Sequence, residues 1–326
     1  MIGVVGTGAW GTALAISAAA TGEKVALIAR DAATVETIRE AGENAKRLPG
    51  VKLPRSIMVT HAWAALAEAS IILMVVPAQT LRGVLQAHRA FIPAAATLVI
   101  CAKGLEKLTG KTLVQVVAEE LPGQPVALLS GPNFAIEVAH GLPTAATLAC
   151  ADTELGGSIA RQLSHRTFRV YASADITGVA LGGALKNVIA IACGMVAGRG
   201  LGENARAALM TRGLAEITRL AVSLGAQPET FMGLAGLGDL ALTCSSLQSR
   251  NYSFGYHLGQ GMEPDAAAGG NLAEGAATAG AVLMLAKAAG IEMPIAQAVQ
   301  AILTGIMPIE EAIGLLMLRP LKAEGV

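Results

Sequence analysis

The sequence predicts an α/β N-terminal half built on a parallel sheet, followed by an all-α C-terminal half. Two observations carry this fold class. Up to about residue 175, short runs containing β-branched residues alternate with helical patterns, and from Gly178 onward apolar residues recur with a period close to 3.6. Strands that alternate with helices belong to a parallel sheet, because parallel neighbours need a long crossover and cannot be joined by a tight hairpin. A third observation places the first strand at the very start of the chain, where an apolar run leads into a turn with glycine at positions 6, 8 and 11.

Taken in order, strands are expected at Ile2–Val5, Lys24–Ala29, Ile57–Thr60, Ile71–Val76, Thr97–Cys101, Val126–Leu129, Ala145–Leu148 and Phe168–Tyr171. Each carries at least one β-branched residue, which packs well on a pleated surface. Helical periodicity is clearest in Ala205–Leu224, Ala276–Ala289 and Ile295–Leu303, with Gly or Pro between segments. There is no internal repeat and no flexible linker. The expected division is therefore residues 1–177 and 178–326, joined by a rigid helix that starts near Asp175.

Bulk composition narrows the function classes. Of 326 residues, 24 are Lys or Arg and 24 are Asp or Glu, and aromatics make up 3%. Such a chain has neither the basic surface nor the stacking platform that nucleic acid requires, and no attraction to an anionic membrane. The hydropathy comes from Ala, Val and Leu, enough for two cores, and does not indicate membrane spans. The uncharged run Met1–Gly22 has no preceding Lys or Arg, and Gly3, Gly6, Gly8 and Gly11 interrupt it, so it does not read as a signal peptide. Cys101, Cys150, Cys193 and Cys244 stand far apart with no C-x-x-C pair, the pattern of reduced core thiols in a cytosolic protein without a metal site.

The turn Gly6-Thr-Gly8-Ala9-Trp10-Gly11 sits between a strand and a helix, the context that a dinucleotide fingerprint needs. Gly6 permits the tight turn, Gly8 lets the backbone approach a pyrophosphate, and Gly11 lets the helix pack closely on the sheet. The fold class thus becomes a Rossmann-type N-terminal domain with an all-α C-terminal domain. The second strand ends in Ala29-Arg30-Asp31. An acidic residue here binds the ribose 2′-hydroxyl of NAD and an arginine the 2′-phosphate of NADP, so Arg30 favours NADP, while Asp31 also reads as a helix N-cap.

A nicotinamide cofactor carries hydride, so a proton donor for the reduced carbonyl is required. Lys186 is the only formal charge between Asp175 and Arg199. Burying an ammonium is costly, so this lysine either serves chemistry or snorkels its stem across an apolar face to water. Lys103 follows the Thr97–Cys101 strand, where ligands of open α/β sheets bind, and reads otherwise as a solvated loop lysine. Asp239 follows the glycine-rich turn Gly233–Gly238 and reads otherwise as an N-cap for a helix from Leu240.

These segments together resemble the bacterial NAD(P)-dependent glycerol-3-phosphate dehydrogenases. The resemblance runs through Gly6–Ala15, Cys101-Ala-Lys-Gly-Leu-Glu106, Ser130-Gly-Pro-Asn-Phe-Ala135, Ala184-Leu-Lys-Asn187, Thr211-Arg-Gly-Leu-Ala-Glu216, Gly236-Leu-Gly-Asp-Leu240 and Gln248-Ser-Arg-Asn251, in the family's order over nearly the whole chain. It implies interconversion of dihydroxyacetone phosphate and sn-glycerol 3-phosphate for phospholipid synthesis, with Lys186 transferring the proton, Lys103 touching substrate and cofactor, and Asp239 orienting the reacting groups. It places Gly131, Asn133, Asn187 and Thr243 at the substrate and Ala135, Leu272 and Glu274 at the cofactor. From sequence alone, Glu274 is a solvated helix-start residue.

Ser249-Arg250-Asn251 supplies a hydroxyl, a guanidinium fork and an amide, donors suited to a phosphate monoester, and reads otherwise as a polar turn. By resemblance this triplet meets the substrate phosphate, and Arg250 also reaches the cofactor. Ala9 stands where the fingerprint commonly has serine, and Asn133 where the Ser-Gly-Pro motif commonly has threonine. Family members are commonly cytoplasmic dimers. Two other readings stay open: a hydroxyacid dehydrogenase of the 6-phosphogluconate type, which spaces its lysine and asparagine one helical turn apart, and a non-catalytic NADP sensor.

Overall fold

The computed structural model describes residues 1–269 and 273–320. All eight expected strands are present, as β1 (Ile2–Val5), β2 (Val25–Ile28), β3 (Ile57–Thr60), β4 (Ile71–Met74), β5 (Thr97–Ile100), β6 (Val126–Ser130), β7 (Thr144–Ala149) and β8 (Phe168–Ser173). They form one sheet in the order β3-β2-β1-β4-β5-β6-β7-β8. The chain leaves β1 toward one edge and returns at β4 on its other side, so a crevice opens at the carboxyl ends of β1 and β4, the place where open α/β sheets bind ligands.

The sheet departs from the expected all-parallel arrangement at one pair. β6 and β7 are antiparallel, with Leu129 opposite Leu148. The reason lies in the connection. It holds only a five-residue helix, Ala135–Ala139, which packs against the helix after β1 and keeps the chain at the end of the sheet where β6 finished. A strand starting from there must run back.

The N-terminal helices are α1 (Ala9–Ala19), α2 (Ala32–Ala41), α3 (Leu81–His88), α4 (Leu113–Glu120), α5 (Ala135–Ala139) and α6 (Thr153–Leu163). They cover the sheet on both faces, giving two apolar clusters with the sheet between them. The remaining helices are α7 (Ile176–Gly198), α8 (Gly202–Ser223), α9 (Asp239–Thr243), α10 (Arg250–Gly259), α11 (Pro264–Ala268), α12 (Glu274–Ala289), α13 (Pro294–Leu303) and α14 (Ile309–Met317). They enclose a third cluster around α7.

α7 is apolar on every side because it is covered on every side. It is long and apolar enough to cross a membrane, yet 94% of its apolar window is buried inside the protein. Asp175 caps it and joins it to the rest of the C-terminal half: Oδ1 accepts from Gly178 N at 2.8 Å, and Oδ2 accepts from Gln227 N at 2.9 Å and Thr230 Oγ1 at 2.6 Å. Along α7, α10 lies backbone to backbone. A Cβ on Gly255 would fall 2.1 Å from Ile191 O and one on Gly194 would fall 2.2 Å from Tyr252 O, so only glycine allows this approach. The close packing brings the start of α10 level with Lys186 and Asn187.

Candidate active site

Asp239 stands at the centre of the site. A glycine-rich turn, Leu234–Gly238, winds wider than an α-helix and delivers Asp239 as the first residue of α9. Its carboxylate bridges two cations: Oδ1 accepts from Lys186 Nζ at 2.7 Å and Oδ2 from Lys103 Nζ at 2.6 Å. The reading of Asp239 as a mere N-cap is therefore wrong, because both oxygens are committed to lysines. Burial alone would raise its pKa, but Lys103 and Lys186 outweigh that and hold it below the usual carboxylate value.

Lys186, midway along α7, does not snorkel. Its side chain is 7% exposed, and Nζ donates to Asp239 and, at 2.5 Å, to Thr243 Oγ1. An ammonium has three N–H groups, so one is left without a partner among the described residues. Burial pushes its pKa down to about 8, Lys103 pushes the same way, and Asp239 opposes. Lys103 is likewise no solvated loop lysine: it reaches from the end of β5 to Asp239 and donates to Gly131 O at 2.9 Å. The Thr243 hydroxyl in turn donates a hydrogen bond to Asp239 O at 2.6 Å, one turn back along α9.

Around this core lie the other residues of the expected substrate site. Asn187 is buried beside the start of α12, with its carbonyl 2.5 Å from where a Cβ on Gly275 would sit. Asn133 donates through Nδ2 to Ala145 O at 2.9 Å, and its Oδ1 is buried with no partner among the described residues. An acceptor left bare in this way suits a hydroxyl donor from a ligand. Ser130, which sequence reasoning gave no role, is buried behind Asp239 with Oγ 3.5 Å from Oδ2. The signal that could have found it was its place at the head of the Ser-Gly-Pro segment Ser130–Ala135.

The triplet at the start of α10 is more than a polar turn. Ser249 Oγ accepts from Tyr252 N at 3.3 Å and so caps α10, while Asn251 Oδ1 accepts from Gly275 N at 2.8 Å. With their oxygens tied to backbone, the Ser249 hydroxyl hydrogen and the Asn251 NH₂ remain as donors, alongside the exposed Arg250 guanidinium and the positive end of the helix. Glu274 opens α12 and is half-buried rather than solvated. Burial raises its pKa, while Arg250 and the Ala78 N–H oppose the rise. Leu272, expected beside the cofactor, lies outside the described residues.

At the switch-point crevice the glycine turn has the shape that a dinucleotide demands. Gly6 has φ +112°, and a Cβ there would fall 2.7 Å from Val75 O; one on Gly11 would fall 1.9 Å from Gly6 O. Above Gly8 there is open space, and α1 carries no side-chain cap. These residues fit a pyrophosphate. Ala9 and Trp10 open α1, and Ala135 opens α5, which packs on α1. At the end of β2, Asp31 accepts from Thr34 N at 2.8 Å to cap α2 and from Arg30 Nε at 3.3 Å, while the Arg30 side chain is 93% exposed.

Comparison with known proteins places this arrangement. A family model described as the NAD-dependent glycerol-3-phosphate dehydrogenase N-terminus matches residues 1–156, and the corresponding C-terminus model matches residues 175–314. Glycerol-3-phosphate dehydrogenase (NAD(P)+) of Methylobacterium radiotolerans is 53% identical over 324 residues, covering 99% of this chain and 98% of the relative. The protein of the same name from Caulobacter vibrioides is 52% identical over 325 residues, with the same coverage. The crystal structure of glycerol-3-phosphate dehydrogenase from Coxiella burnetii superposes with a TM-score of 0.92 at 40% identity over 98% of both chains. D-mandelate dehydrogenase in complex with NADH, at 16% identity and a TM-score of 0.63, shares the fold alone; it covers 94% of this chain and 98% of its own. Matches to both halves of one family, with relatives at half identity along almost the whole length, make this chain a member of the NAD-dependent glycerol-3-phosphate dehydrogenase family.

Proposed function

We propose that the protein catalyses the NAD(P)-dependent interconversion of dihydroxyacetone phosphate and sn-glycerol 3-phosphate, the backbone from which phospholipids are built. The observation that carries the mechanism is the buried bridge Lys186–Asp239–Lys103. The reduced nicotinamide, when bound, supplies the hydride. Lys186 uses its remaining N–H to stabilise charge developing on the ketone oxygen and then gives it the proton. Asp239 holds both ammonium groups in one place, and Thr243 fixes a second N–H of Lys186, so the proton leaves in one direction. Lys103 adds a second cation at the same oxygen-binding region.

Ser249, Arg250 and Asn251 hold the substrate phosphate, and Gly131, Asn133 and Asn187 border the carbon chain. Gly6, Gly8, Ala9, Trp10 and Gly11 hold the pyrophosphate. Arg30, exposed at the end of β2 while Asp31 is spent on capping α2, pairs with a 2′-phosphate, which favours NADPH. Ala135, Lys103, Arg250 and Glu274 complete the cofactor site. In this reading the substrate domain starts at residue 178, and the protein is cytoplasmic, without a membrane span or a nucleic-acid partner. It is also a homodimer, a reading supported by the exposed Ile306, Leu315, Met317 and Leu318; a monomer mass by light scattering would remove that assignment.

The direct test adds dihydroxyacetone phosphate to enzyme with NADPH or NADH and follows the reduced-nicotinamide absorbance. Oxidation of both is expected, with the higher kcat/KM for NADPH. No loss of absorbance with either cofactor would end the proposal.

A further inference from the structure

The structure assigns a positioning role to Asn44: its side-chain amide sets the peptide plane of the glycine turn so that the Gly8 N–H faces a bound pyrophosphate. The inference rests on reading Gly6–Gly11 as the dinucleotide site. Asn44 lies 37 positions after Thr7, on the segment that follows α2, and is 4% exposed. Nδ2 donates to Thr7 O at 2.8 Å and to Thr12 Oγ1 at 2.9 Å, so both amide hydrogens are spent on the fingerprint. Thr12, directly after Gly11, is fully buried, and its N–H donates to Gly8 O at 2.9 Å. One amide thus clasps the turn on both sides of its cofactor-facing residues.

Peptide planarity makes this clasp directional. Thr7 C=O and Gly8 N–H belong to one trans peptide unit, so they point opposite ways. Pulling the carbonyl toward buried Asn44 drives the N–H outward. Among the described residues that N–H has no partner, and the space above Gly8 is open. An unpaired donor over open space, at the uncapped start of an 11-residue helix, suits an anionic oxygen. Without the clasp the Thr7–Gly8 peptide can rotate, because Gly8 on its C-terminal side has no Cβ to restrict φ and open space where one would sit.

The segment bearing Asn44 is itself held in place. Glu43 pairs with Lys52 across its base, and Asn44 O accepts from Arg47 N at 3.0 Å and Leu48 N at 2.8 Å. Leu48 and Val51 are buried in the same apolar cluster as Ala13 and Leu14 of α1. Asn44 is therefore aimed at the turn by a rigid hook anchored on the helix that the turn begins.

Calorimetric titration of NADH, NADPH and ADP-ribose, with ligand-observed NMR of adenosine, tests this on wild-type, Asn44→Ala, Asn44→Asp and Gly8→Val proteins. Asn44→Ala should raise Kd about tenfold for all three diphosphates, the effect of one lost orienting hydrogen bond, and leave adenosine within about twofold. Asn44→Asp keeps the shape and fold but turns an acceptor toward Thr7 O and adds negative charge, so it should lose more than Asn44→Ala. Equal losses for adenosine and ADP-ribose would make Asn44 a general structural residue and overturn the inference. So would wild-type affinities in both Asn44 variants while Gly8→Val abolishes NADH binding. Undiminished NADH binding by Gly8→Val would instead overturn the underlying reading of the fingerprint.

Discussion

At the scale of single residues, the proposed mechanism turns on a lysine whose charge is held in balance. Burial drives the pKa of Lys186 down to about 8 and Asp239 prevents a further fall. As proton donor in ketone reduction it must be protonated, so kcat/KM for reduction should be level below about pH 7 and fall as pH rises through about 8; the reverse oxidation should gain over the same window. A flat profile from pH 7 to 10 would exclude Lys186 as the donor. Lys186→Ala should cut turnover by roughly two to four powers of ten with NADPH affinity kept, since a general acid contributes on that order. Taken by itself in the sequence, apart from the family resemblance, this residue stood evenly between chemistry and snorkelling. Local sequence could not decide because the deciding partners, Asp239 and Thr243, lie 53 and 57 positions away. Asn44 was illegible for the same reason: nothing local ties an amide after α2 to a turn after β1.

At the scale of elements, local pattern carried most of the fold. All eight strands fall within two residues of their expected limits because each is a short apolar run between turns. Strand direction was the exception at β7, since a run of Ala, Thr and Leu reads the same in either direction and the connection decides. α7 shows the converse, an element whose start was legible through Asp175. Its carboxylate also grips Gln227 and Thr230, and so fixes the segment that leads into the glycine turn and Asp239. Asp175→Ala removes a cap and orphans one buried and two part-buried donors, and should cost about 2–4 kcal/mol in urea unfolding. Asp175→Asn, which keeps one acceptor oxygen but offers an NH₂ where Oδ2 was, should fall between Ala and wild type. Wild-type stability in the Ala variant would mean that α7 is held by packing alone.

At the scale of the whole molecule, the site exists only where the two halves meet. Lys103 and Gly131 come from strand ends of the sheet, Lys186, Asp239 and Thr243 from the helical half, and Ser249–Asn251 from a helix brought level with Lys186 by glycine packing. A substrate that spans this junction can use a non-reacting phosphate at one end to place its ketone at the other. Dihydroxyacetone, which lacks the phosphate, should therefore be reduced far less efficiently than dihydroxyacetone phosphate. Arg250→Ala should erase most of that difference by lowering kcat/KM on the phosphate ester by about 2–3 kcal/mol, roughly thirty- to a hundred-and-fiftyfold, the scale of a lost charge-assisted contact. Because the Arg250 charge also acts on Glu274, which the proposed function puts beside the cofactor, the comparison belongs at saturating NADPH. Ser249 caps α10 and Asn251 accepts from the first turn of α12, so removing Arg250, unlike removing either neighbour, leaves both of these backbone contacts intact. Equal reduction of both ketones by the wild-type enzyme would mean that the triplet does not hold a phosphate, and would move the substrate toward an unphosphorylated hydroxyacid.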